Sequence, residues 1–76
     1  MSINIQHQYH VMLTEYWRLF KKHTEKFERS DAYWQELLHD AEALYQEFRT
    51  LNEELSYSLA ISIVKAVEHE FKRWYS

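Results

Sequence analysis

Five places along the chain carry side chains that could do chemistry. His7-Gln8-Tyr9-His10 sets two imidazoles three residues apart, which can meet on one helical face and bind a metal. No carboxylate or further histidine lies near them in sequence, so two solvated histidines are expected. Glu36-Leu37-Leu38-His39 has the Glu-x-x-His form found in di-iron helical bundles. Those sites need the motif twice with further inward glutamates. Here it occurs once, with Glu36 turned towards solvent and His39 at the flank, so no metal or cofactor is expected. His23 differs because it falls inside an apolar stripe. It reads either as a neutral core histidine with one hydrogen bond or as a pH-sensitive contact, since burial and neighbours can move its charge change across the physiological range. Arg18, Lys21, Lys22, Lys26 and Arg29 form a basic run. Phosphate binding needs such charges concentrated on one face, and Glu25 and Glu28 dilute this one. The fifth place is the uncharged run LSYSLAISIV at 55–64, in a chain of which 28% is charged. No nucleophile–base pair or paired inward carboxylates are present, and a chain this short leaves little room for a substrate pocket. Catalytic residues and a small-molecule substrate are not expected.

These residues must be positioned by a very small core. A chain of 76 residues makes one domain, 1–76, because a second would leave neither half enough to bury. A core of this size typically yields roughly 3–5 kcal/mol of net stability. Cysteine is absent, which excludes disulfides and zinc–thiolate sites and fits a reducing compartment. Glycine and proline are absent too, so hairpin turns and phosphate-cradling loops lack residues that tolerate positive φ. Leu, Glu, Ala, Gln and Lys favour helix, and the fold class is all-α. MSINIQHQYH lacks a basic segment followed by an apolar one, so no signal peptide is expected. The uncharged run is about half of a membrane span. The expected location is the cytoplasm, with no membrane contact.

Periodicity predicts a compact three-helix bundle with antiparallel neighbours, over about 4–28, 31–50 and 53–74. In the first helix Ile5, Tyr9, Leu13, Tyr16, Phe20, His23 and Phe27 recur at spacings of three and four, widened by Met12, Trp17 and Leu19. Asn4 suits its N-cap, and Ser30 or Asp31 suits the next. The second helix sets Trp34, Leu37, Leu38, Ala41, Leu44, Tyr45, Phe48 and Leu51 on one face. Thr50-Leu51-Asn52-Glu53 has capping-box form, with Asn52 as an alternative cap. A true loop there and a helix that continues with a kink both remain open. Net charge by segment is +2, −6 and +1, for a total of −3, which suits unlike helices lying side by side.

Taking about 100° per residue, Ile63 centres a core face in the third helix, with Leu55, Leu59, Ala66, Val67 and Trp74. A second apolar group, Tyr57, Ile61, Val64 and Tyr75, lies about 120° away on the same wheel, with Phe71 bridging the two. A monomeric helix keeps one face wet, so this second patch is expected to be an interface. Aromatic residues support that, being enriched where binding energy concentrates. A two-fold homodimer is the commonest arrangement for such a surface.

DAYWQELLHDAEALYQEF at 31–48, followed by LAISIVKAVEHEF, resembles small uncharacterised helical proteins of Firmicutes prophages and other mobile elements. The similar features are Tyr33-Trp34 opening a helix, Leu37, Ala43 and Leu44 with Tyr45, and a final apolar helix with acids towards its end. The resemblance covers about the last 45 residues and implies an accessory protein acting through protein contacts. The expected function is thus a protein–protein interaction or regulatory module, homo-oligomeric and without catalysis, whose interface is Tyr57, Ile61, Val64, Phe71 and Tyr75. The partner is a second copy or another protein. The alternative is nucleic-acid association through Arg18, Lys21, Lys22, Lys26 and Arg29.

Overall fold

A computed structural model describes residues 4–75, without the Tyr75 side chain. The described residues are helical throughout two elements, α1 (Ile5–Glu25) and α2 (Asp31–Tyr75). Asn4 caps α1, its side chain accepting from the His7 amide at 2.9 Å. The helix stops at Glu25, short of the expected Glu28, and a side chain of α2 takes over one of its final carbonyls. Thr24 Oγ1 donates to the Phe20 carbonyl at 2.8 Å, and the Tyr33 hydroxyl donates to the His23 carbonyl. Lys26 is extended, and the chain then delivers Phe27 edge-on to Phe71 at 5.8 Å. Ser30 Oγ accepts from the Tyr33 amide and opens α2.

Three separate helices are not what the chain forms. The expected second and third helices are one element, α2, with a single non-helical residue inside it, Asn52, at φ −163° and ψ 96°. No loop residues are present to separate them. A straight helix of 45 residues would be about 67 Å long, yet the molecule measures 51 × 17 × 16 Å. Asn52 reverses the chain, and the arms before and after it lie side by side. Trp34 meets Phe71 edge-on at 5.1 Å, and Tyr45 meets Tyr57 at 5.9 Å. Asn52 itself replaces the interrupted hydrogen bonding. Its Oδ1 accepts from the Leu55 amide at 2.9 Å, and its Nδ2 donates to the Tyr9 hydroxyl at 3.1 Å. Asn52, rather than Thr50, is therefore the cap of the second arm.

The core is a narrow seam. Met12, Tyr16, Leu19 and His23 of α1 face Tyr33, Leu37, Ala41 and Phe48 of the first arm and Ser56, Ala60 and Val67 of the second. The stripe read from sequence in α1 is too wide, since Ile5, Leu13 and Trp17 are exposed. In the second arm the core is centred on Ala60 and Val67 rather than on Ile63, and Trp74 is 70% exposed. The rotation follows from one polar contact. The Tyr16 hydroxyl lies 3.0 Å from the Ser56 carbonyl oxygen and 2.9 Å from Ser56 Oγ. A buried phenol needs a partner, and turning Ser56 inward supplies it.

Burial pushes the Tyr16 phenol above the ordinary tyrosine range, with the Ser56 hydrogen bond opposing the shift. A raised folded pKa means that this contribution is complete below the unfolded tyrosine value of about 10 and is lost as pH rises through the folded value. Tyr16→Phe is expected to cost about 1 kcal/mol at neutral pH, the buried hydrogen bond to Ser56 being lost while Ser56 Oγ still donates to the Tyr45 carbonyl at 3.4 Å. It should also flatten the fall in stability above pH of about 10. Urea unfolding of both proteins at neutral and alkaline pH checks the two effects.

Candidate functional site

On the face away from α1, the two arms of α2 leave an open groove of about 510 Å³. Its floor is Ala41 and Ala60, both buried. Small side chains at facing positions let the arms approach closely, and the larger residues on either side stand up as walls. Leu38 and Tyr45 come from the first arm, and Tyr57, Ile61 and Val64 from the second. Leu38 and Tyr57 are each 55% exposed and Ile61 is 36% exposed, while Val64 is half-buried. Tyr45 and Tyr57, edge-on to one another, close the end nearest Asn52. The Tyr45 hydroxyl is tied to Glu53 Oε1 at 3.0 Å, and that acceptor holds the phenol above its usual range. Glu42, Lys65 and Glu68 stand along the rim. Glu68 lies 3.8 Å from Lys72, whereas Glu42 and Lys65 have no ion-pair partner among the described residues.

Three of the five residues expected at an interface are thus brought together: Tyr57, Ile61 and Val64. Phe71 is set apart, wedged between Phe27 and Trp34 at the far end of the molecule, because the inward turn of Val67 carries it towards the core. Tyr75 lies outside the described side chains. Sequence reasoning placed Leu38 in the core and so missed half of the groove. The adjacent pair Leu37-Leu38 held the signal, because neighbours about 100° apart on a helix cannot both face its centre. Leu37 is fully buried and Leu38 is not.

The basic run is partly neutralised within the chain. Arg18 pairs with Glu15 at 3.0 Å. Lys22 Nζ lies 2.8 Å from Glu36 Oε1 and 3.2 Å from Asp40 Oδ2. The hydrogen bond and charge of Lys22 hold Glu36 below the usual carboxylate range, and both carboxylates raise Lys22. These side chains are exposed, so the pairs bias the placement of α1 on α2 more than they stabilise it. Lys21 and Lys26 are exposed, which leaves a thin cationic face. His7, His10 and His39 are exposed as well, and His23 is buried. No helix among the described residues is long and apolar enough to cross a membrane. No family model, curated protein or solved structure matches the chain.

Proposed function

We propose that this chain is a small protein–protein interaction or regulatory module, acting without catalysis in the cytoplasm, and that its groove takes a second copy of itself. The observation that carries this reading is the convergence of exposed Leu38, Tyr57 and Ile61 on a groove floored by alanine. Contiguous exposed apolar surface bordered by charge marks an interaction site in small proteins. The rim favours self-association because it carries both signs. A two-fold axis sets residue i against j and j against i, so Lys65 of each copy can meet Glu42 of the other. In this reading α1 and the two arms serve as three antiparallel rods, and a second copy covers the wet side of α2. The resemblance to accessory proteins of mobile elements points the same way. Nucleic-acid association draws less support, since Arg18 and Lys22 are occupied by carboxylates of the same chain.

Backbone amide NMR over a dilution series tests the location of the contact. Shifts that move with concentration are expected at 38–46 and 57–68, and not along α1. Concentration-dependent shifts confined to α1, or none at all, would count against this assignment.

A further inference from the structure

A second group of side chains lies outside the groove, where α1 meets the start of α2. The His23 residue is only 2% exposed, and its Nδ1 lies 3.2 Å from the Leu19 carbonyl oxygen. A carbonyl oxygen can only accept, so Nδ1 carries the proton and donates. In the neutral ring Nε2 therefore holds the free lone pair, and it has no hydrogen-bond partner among the described residues. The Tyr33 ring packs edge-on at 5.3 Å and fixes the imidazole plane. A metal-binding histidine is held in this way, one nitrogen donating to a backbone carbonyl and the other presented to the ion.

What faces the ring completes the set. Glu36 and Asp40 are one helical turn apart on α2, on the same face. A ring nitrogen of His23 and one oxygen from each carboxylate all lie within 4.8 Å of one another. Lys22 Nζ bonds both carboxylates, so the position between them already holds a cation. That cation is a single charge on a side chain 58% exposed, and it leaves the imidazole unused.

We propose that His23, Glu36 and Asp40 bind a divalent metal ion of the zinc class, and that Lys22 occupies the site when the metal is absent. One imidazole nitrogen with two carboxylate oxygens suits zinc, with water in the fourth position. Magnesium and calcium prefer oxygen donors alone. Bonds of about 2 Å draw the donor atoms to roughly 3–4 Å apart, and the outer placement of Glu36 lets its side chain turn inward. A doubly charged ion neutralises the two carboxylates that Lys22 only half compensates.

The test is a zinc titration of the full chain against a chromophoric competitor, with magnesium in parallel. One zinc per chain is expected, with no binding of magnesium at the same concentration. Glu36→Gln and Asp40→Asn, both outside the core, should each weaken zinc by at least the factor of about 10 seen when a supporting metal-site group is lost. Lys22→Ala should tighten binding by removing the competing ammonium, and His7→Asn with His10→Asn should change nothing. Absence of zinc binding would overturn the proposal. So would binding that survives both Glu36→Gln and Asp40→Asn, binding lost with His7 and His10, or binding that Lys22→Ala leaves unchanged or weaker.

Discussion

Leu37→Ala is expected to unfold most of the population at room temperature. Leu37 is completely buried, where the first arm of α2 meets the core seam. Truncating such a leucine costs about 2–5 kcal/mol, from lost transfer free energy and the cavity left behind. A domain of this size has roughly 3–5 kcal/mol in total, so the loss is comparable with the whole margin. No disulfide is available to limit the unfolded chain. Nor can the site readily collapse, because the core cluster it belongs to also holds Leu19 of α1 and Val67 of the second arm, both buried. Circular dichroism should show loss of most helical signal. Leu38→Ala, one residue further on and exposed, should remain helical with a change within about 0.5 kcal/mol. The contrast between adjacent leucines tests the orientation of the arm as well as the depth of the core.

The second large effect concerns association. Ile61 stands in the middle of the groove wall, flanked by Tyr57 and Val64. Leu38, Tyr57 and Ile61 are about half buried already, so covering the remainder contributes about 1 kcal/mol each. Two copies bring six such side chains, on the order of 6 kcal/mol, against an association cost of about 4 kcal/mol or more. For the proposed self-docking the expected balance is a weak dimer, governed by concentration. Ile61→Glu removes two of the six contacts and sets two carboxylates against apolar surface at the centre. Each desolvated charge costs more than the margin available, so the variant should be monomeric at every accessible concentration. Because Ile61 is exposed in the single chain, its folding stability should change by no more than about 0.5–1 kcal/mol.

The helical class and the Asn4 cap were legible in the sequence, and Ser30 and Asn52 each stood as one of two candidates there, for a shared reason. Asn4, Ser30 and Asn52 act on amides three residues away, so their chemistry is local. The rotation of the helices about their axes was not legible, because it depends on pairs such as Tyr16 and Ser56, 40 residues apart. A serine in an apolar run reads as a gap until its phenol partner is known. For the groove, the wheel grouped Tyr57, Ile61 and Val64 with Tyr75 as a second patch, and the first three line one wall. It could not supply the opposing wall, since that requires knowing that Asn52 folds 38–46 back against 57–68. The same limit hid the approach of His23 to Glu36 and Asp40, which belong to different helices. It also hid the contact at the end of α1, where a tyrosine from the next helix takes the His23 carbonyl.

Sedimentation equilibrium of the wild type and Ile61→Glu, side by side over a wide concentration range, bears most directly on the groove as a self-docking surface. The wild type should rise in apparent mass from one chain towards two, while Ile61→Glu stays at one chain throughout. A wild type that remains at one chain across the range, or an Ile61→Glu protein that dimerises equally well, would contradict it.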